Sequence, residues 1–532
     1  MQSSPQKSKV DPPFAGDWSP TNLTLLFLLT VFAFLVMGYH PGLEDDAFYL
    51  AAIKRNLNPA LFPHDAEFFT VQFQATIFDK LIALSARITH LPLMWDVLLW
   101  QLAGIFFILH GCWRIACRCF EESSAQWAAV TMIAALLTLP ISGTAINLAD
   151  QYLHPRTLAT AAILAAVVAI LDRRPWLAGL LLTIALSIHA IMASFGISFC
   201  VILYFVLHRS ATKRVSTVPL GAVFLFPLGW LFAPTSDAWR QAASTRGFYY
   251  ISHWEWYEWL GVFAPLALIY AYRFWVAQRF QRCDKADEKD RAFAPERALQ
   301  SFVAALLYYG LFQTIVGIAV MLPQSLERLR PLEPMRYLHL LYLLFFLLIG
   351  GLLGRYVLNR HAYRWLLLFV PLSAGLFYAQ RQLYPASAHI EWPGLTSKEA
   401  VPRNPWLEAF AWIRQSTPVD AVFALDPHYM QLPAEDYHGF RALAERSVLA
   451  DYDKDGGMAA RVPGLAPRWL KEVTAEKDWR NFQPQDFQRL KNSFGVNWIV
   501  LSREDAMYSR SENQPGITCP FANGQLRICR LY

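Results

Sequence analysis

The chain has 532 residues, enough for three or four average soluble domains, yet 55% are hydrophobic and only 17% are charged. Soluble domains average about 25% charged residues, so this composition, with 19 Trp, 22 Tyr and 37 Phe, excludes a disordered chain, a collagen and a coiled coil, and points to a membrane protein with a soluble part. The net charge of +6 is spread over short loops with no dense basic patch, which leaves no footprint for nucleic acid.

The polar tail 1–20 leads into Thr21–Gly38, 18 residues without a charge. That is close to the roughly 20 that the hydrocarbon core of a bilayer requires. Its end, Met37-Gly38-Tyr39-His40, lacks the small-x-small pattern of a cleavage site. It reads as an uncleaved anchor with the N-terminus in the cytoplasm. The first outer loop, 39–92, opens with three acids in a row, Glu44, Asp45 and Asp46. Adjacent carboxylates at a membrane surface offer hard oxygen ligands to a divalent cation such as Mg or Mn. They also offer a general base, its pKa raised by a like-charged neighbour. The plainer reading is an N-cap at Asp45 or Asp46 for a short helix reaching Asn56; a cap uses one acid, and here there are three. His64 and Asp65 follow as candidates to join the acids, though Asp65 also suits the cap of its own helix. That helix is amphipathic, with apolar positions at Phe69, Phe73, Ile77, Leu81, Leu84 and Ile88. Both helices are expected to lie in the interface plane.

Further apolar runs fall near 93–113, 126–146, 157–171, 176–207, 216–233, 259–276, 298–322, 337–354 and 363–379. Residues 176–207 carry no formal charge over 32 positions, roughly 48 Å as one helix, too long for a bilayer. Both flanks are basic, Arg173-Arg174 before and Arg209, Lys213 and Arg214 after. The positive-inside rule puts both in the cytoplasm, so the run must enter and return as two short helices turning near His189. The total becomes about 11 spans, with the C-terminus outside. The loops so placed inside hold 18 Lys and Arg, against 10 in the longer loops placed outside.

From about Pro385 the hydropathy drops. Residues 385–532 alternate helix-like runs (405–415, 440–445, 485–494) with strand-like ones (421–425, 447–450, 496–501) and end in a hairpin around Asn523-Gly524. That pattern predicts a small α/β domain with a mostly parallel sheet. Cys519 and Cys529 bracket the hairpin on the outer side, where disulfides persist. A two-residue turn leaves them one position out of register, which a bulge at Pro520 corrects; two free thiols are the alternative. No phosphate loop, dinucleotide glycine pattern or internal repeat is present in the sequence.

An N-terminal span, an acidic pair opening the first outer loop, two interfacial helices in that loop, short hairpin helices and an outer C-terminal domain together resemble the GT-C glycosyltransferase superfamily, and most its uncharacterised bacterial members. The motif that carries the likeness is Glu44-Asp45-Asp46-Ala47-Phe48-Tyr49; the Trp-Trp-Asp motif of oligosaccharyltransferases is not in the sequence. The resemblance implies an α-helical polytopic membrane protein in a bacterial cytoplasmic membrane, with a GT-C-like domain at 21–384 and a small extracytoplasmic α/β domain at 385–532. It implies a polyprenyl-phosphate-linked sugar as donor, membrane lipids as surroundings, and Glu44, Asp45 and Asp46 as the catalytic group, Asp45 and Asp46 holding any metal. Several outward residues suit a phosphate: His154 and Arg156 in the second outer loop, Arg336 and His339 near a later one. Arginine matches phosphate bidentately, although snorkelling to headgroups explains a single Arg as well. His189, at the hairpin tip, is an ionisable residue at membrane depth and so a candidate for the site, or else a neutral histidine bonded between helices. Two rivals compete. A transporter would place charges in mid-span and repeat its halves, and neither is seen here. An inactive relative would keep the fold and lose the chemistry.

Overall fold

The computed structural model describes residues 19–209, 235–283, 295–393, 404–432 and 438–532. The expected span at 216–233 lies outside them. Six helices among the described residues are long and apolar enough to cross a membrane: Pro20–Met37, Leu93–Cys119, Ala190–His208, Glu296–Met321, Pro334–Leu358 and Ala362–Leu383. Two shorter apolar helices, Pro155–Leu171 and Pro175–Ile188, accompany them. This is fewer than the 11 passes expected, and two runs account for part of the difference. The run 126–146 is helical only over Ser123–Leu136. Pro140 and Gly143 follow, and the chain turns back as a tight hairpin, β1 (Pro140–Ile141) against β2 (Ile146–Asn147). Gly143 sits at φ +65, where a Cβ would come within 2.5 Å of the Trp254 ring, so the turn tolerates no side chain. The run 259–276 lies in the helix Trp256–Cys283, which is not among the six. The long run 176–207 does break at His189, whose backbone is extended between two helices.

The first helix starts on Ser19, whose hydroxyl accepts from the Asn22 N–H, with Pro20 at its first position. It stops at Gly38, φ +80, because a Cβ there would meet the His389 carbonyl at 2.6 Å. The chain then threads between the helical bundle and the C-terminal domain. Tyr39 N–H donates to the His389 carbonyl at 3.0 Å, and Gly439 N–H donates to the Gly42 carbonyl at 2.8 Å. The first-loop helix expected to reach Asn56 is Asp46–Leu57. The second, expected over Phe69 to Ile88, is broken into Glu67–Thr70, the 3-10 turn Val71–Gln74 and the helix Phe78–Thr89.

The C-terminal domain is built on one five-stranded sheet: β3 (Val422–Ala424), β4 (Ser447–Val448), β5 (Trp498–Ser502), β6 (Ile517–Ala522) and β7 (Leu526–Leu531), in the order β4-β3-β5-β7-β6. The β3–β4 and β3–β5 pairs are parallel, and the β5–β7 and β6–β7 pairs are antiparallel. The sheet is therefore mixed rather than mostly parallel, because the terminal hairpin adds two antiparallel strands. Its two faces are covered by separate apolar clusters, one around Phe410, Phe423 and Trp498, the other around Phe487, Ile499 and Leu501. Cys519 and Cys529 form a disulfide. The turn falls on Gly524-Gln525, one residue later than expected, since Ala522 faces Arg527 and the Asn523 N–H donates to the Leu526 carbonyl at 3.1 Å; an irregularity between Thr518 and Phe521 then puts the two cysteines opposite each other. Pro520 sits in that bulge, where it owes the ladder no N–H.

Candidate functional site

Asp45 stands at the N-cap position of the helix Asp46–Leu57, yet its side chain makes no capping bond. It turns instead toward the C-terminal domain. Lys454, the first residue of the helix Lys454–Arg461, donates from Nζ to Asp45 Oδ1 at 3.1 Å and also to Glu44 Oε2. The other Asp45 oxygen lies 4.0 Å from His154 Nε2, and the Asp45 N–H points to the Tyr152 hydroxyl at 3.4 Å. Glu44 holds a left-handed backbone at φ +50. Such strain in a non-glycine residue costs on the order of 1–3 kcal/mol and persists only where the surroundings enforce it.

These acids open onto a cavity of about 260 Å³. Its wall combines the first loop, the second outer loop, the segment around Arg246 and Phe248, Arg336 at the head of a span, and Asp453, Lys454 and Arg461 from the C-terminal domain. The basic groups there are held by carboxylates behind them. Arg156 Nη2 bonds both oxygens of Asp150 at 2.6 Å. Arg246 pairs with Asp453 at 3.1 Å. Buried Glu333 takes Arg336 at 2.6 Å and Arg461 at 2.9 Å. Arg336 also stacks over Phe248, 5.5 Å from the ring centre. Among the described residues these pairs leave some buried guanidinium N–H groups without a hydrogen-bond partner: Nε and Nη1 of Arg156, Nε of Arg336 and Nε of Arg461. Arg156, Arg246, Arg336 and Arg461 give the cavity a positive wall, which suits an anionic, multi-oxygen ligand.

The electrostatics separate the two neighbouring aspartates. Burial works to raise the Asp45 carboxyl, but Lys454 first, with Arg246 and Arg461, holds it well below the usual range. Asp45 is thus a permanent anion near neutrality. Asp46 is buried, its Oδ2 accepting the Gly42 N–H at 2.7 Å, and burial above all pushes it up to about 7. Burial lowers the Lys454 ammonium, and Asp45, Glu44 and Asp453 outweigh this and raise it. Burial also depresses the His154 imidazole, with Arg156 and His189 adding to the effect, so His154 is neutral.

Of the residues singled out in the sequence, Glu44, Asp45, Arg156 and Arg336 line the cavity. His154 reaches it through Asp45, and His189 stacks behind His154 with ring centres 6.0 Å apart. Asp46 is next to the cavity in sequence but does not line it. His339 bonds the Leu148 carbonyl at 2.9 Å and stays in the helical core. His64 and Asp65 belong to another place. Asp65 is buried against Arg441 and accepts the Val448 N–H at 3.1 Å, so it clamps the loop onto the C-terminal domain and caps no helix. Among the described residues no three His, Cys, Asp or Glu converge as a metal requires, and the Lys454 ammonium sits between the two acids nearest the cavity. The partners that sequence reasoning passed over are Asp150, Arg246, Glu333, Asp453, Lys454 and Arg461. Arg246 was overshadowed by its aromatic neighbours, and Lys454 and Arg461 belong to a near-neutral soluble tail that gives no local signal.

Residues 404–458 match the family model described as Domain of unknown function (DUF6798). The matched stretch contains Arg441, Asp453 and Lys454, three of the residues through which the C-terminal domain meets the first loop. No curated protein matches the chain.

Proposed function

We propose that this protein is a membrane glycosyltransferase of GT-C type, moving a sugar from a polyprenyl-phosphate donor to an acceptor hydroxyl on the outer face of a bacterial cytoplasmic membrane. One observation carries the reading: an ionised aspartate and a set of arginines line one cavity between apolar helices and the C-terminal domain. In the transfer, the bond from the sugar carbon to the donor phosphate oxygen breaks and a bond from that carbon to the acceptor oxygen forms. The acceptor proton passes toward Asp45, and the electron pair leaves with the phosphate, where Arg156, Arg336 and Arg461 meet the growing charge. Asp45 is a weak base in this setting. Its contribution is to orient the hydroxyl and take up the proton late, while Lys454 keeps it aimed. The expected Mg or Mn finds no seat of this kind, because Lys454 occupies the gap between Glu44 and Asp45; in this reading its charge, with the arginines, supplies the electrostatic role.

The test is Asp45→Asn at matched membrane expression, with lipid-linked donor consumption and glycan product both measured. A loss of about 100-fold or more is expected, the scale of a lost acid–base group. Near-normal product from Asp45→Asn would sink the reading. Activity in chelator is expected to persist.

A further inference from the structure

A second concavity lies on the far side of the same chain turn. Residues 452–454 divide the two: Asp453 and Lys454 face the cavity described above, and Tyr452 faces a groove of about 850 Å³ between the helix Asp237–Ser244, the loop around Asp426–Leu432 and the turn after the helix Ala466–Ala475. Its aromatic side is made by Tyr452 and exposed His428, ring centres 4.3 Å apart, with Trp469 next to Tyr452 at 6.0 Å. The loop that carries His428 is fixed, since the Tyr452 N–H donates to the Pro427 carbonyl at 2.8 Å and the His428 N–H to Asp426 Oδ1 at 2.9 Å.

The groove is also lined by a buried acid. Glu476 is 1% exposed and lines the groove; its Oε2 has no hydrogen-bond partner among the described residues, and burial, with Glu472, Asp426 and Asp451 adding, raises its carboxyl well above the usual range. A buried carboxyl oxygen left unbonded is costly, and a hydroxyl partner would relieve that cost. The side chains of Gln241, Gln431 and Asn481 add neutral donors and acceptors along the walls. No lining residue belongs to a strand, so the groove offers no edge on which an extended peptide could pair.

We propose that this groove is a carbohydrate-binding site. A sugar has a face of C–H bonds, which suits the negative face of an aromatic ring, and a rim of hydroxyls that both donate and accept, which suits a carboxyl set among amides. The groove volume lies within the range of ligand sites and exceeds one monosaccharide, so the occupant is an oligosaccharide. Ring stacking on Tyr452 and His428 orients it, and the Glu476 carboxyl bonds a hydroxyl. The site stands on its own geometry and does not require the transfer reaction proposed for the neighbouring cavity.

The experiment uses the full chain in detergent micelles on a glycan array of neutral and amino-sugar oligosaccharides, followed by calorimetric titration with the strongest binder. Binding is expected, weakened about tenfold or more by Glu476→Gln and by Tyr452→Ala. His428→Ala, at an exposed position, is expected to weaken it as well. Asp45→Asn is expected to bind as the native chain does, which separates this site from the transfer reaction. Absence of binding to every glycan on the array overturns the proposal, and so does binding that all three groove variants leave unchanged while their melting temperatures match the native chain.

Discussion

At the residue scale, Asp45 and Asp46 are adjacent carboxylates with opposite fates. Asp45 faces Lys454 and is held ionised; Asp46 is buried against the Gly42 N–H and is pushed up to about 7. The second shift is a stability statement. Below about pH 4 both the folded and the unfolded chain keep this proton, and nothing is lost. Between the ordinary value of 3.8 and about 7, the unfolded chain releases it while the folded chain retains it, so stability falls as pH rises and levels off above 7. Asp46→Asn keeps an oxygen for Gly42 and removes the titration. The variant is expected to gain on the native protein from about pH 4 to 7, by on the order of 4 kcal/mol at most. Melting curves of both proteins in detergent across that range check it; a constant difference would show that Asp46 is not the titrating group. The acid cluster was legible from Glu44-Asp45-Asp46 alone, but which acid faces the cavity was not. That choice follows from the left-handed backbone of Glu44 and from Lys454, some 400 residues away in sequence.

At the element scale, the terminal hairpin couples the disulfide to the sheet. Strand β7 lies between β5 and β6, so the Cys519–Cys529 bond ties the edge strand to the interior of the sheet. Replacing both cysteines by serine is expected to cost about 2–3 kcal/mol, the scale for closing a short loop, and to leave the helical part unaffected. Reducing and non-reducing melts of the native chain should differ in the same direction, and equal melts would show the bond to be idle. The elements of the tail were largely legible: 405–415, 485–494 and 496–501 are seen as Pro405–Ser416, Pro484–Phe494 and Trp498–Ser502. Short, locally patterned elements separated by turn residues read well. Length in an apolar run read poorly. The run 126–146 is interrupted by Pro140, and hydropathy averaged over a window does not register a residue that cannot continue a helix.

At the scale of the whole molecule, the first loop and the C-terminal domain are one assembly. Arg441 joins Asp65 of the loop to Asp455 of the domain, and all three are buried. Arg441→Met leaves two buried acids without their partner and is expected to cost about 3–5 kcal/mol, read as protease cleavage at the junction and a lower melting temperature. The same contacts constrain the path through the membrane. Lys454 touches Asp45, and Gly439 bonds Gly42, so the loop after the first helix and the domain after the last must share one side of a bilayer. If each of the six long helices crosses once, five crossings separate the two, and an odd number would put them on opposite sides. An odd number of further crossings is therefore required. Pro155–Leu171, Pro175–Ile188 and Trp256–Cys283 are the described helices that can supply them; an 11-span path satisfies the same parity. The expected outcome is that the loop near Asn58 and the end of the chain at Tyr532 lie on one side, with the N-terminus on the other. Membrane-impermeant labelling of single cysteines placed at Asn58 and Tyr532, together with a compartment-specific reporter at each terminus, reads this directly. Both termini on one side would mean that the helix Pro20–Met37 does not cross, and the transferase reading would lose the arrangement on which it rests.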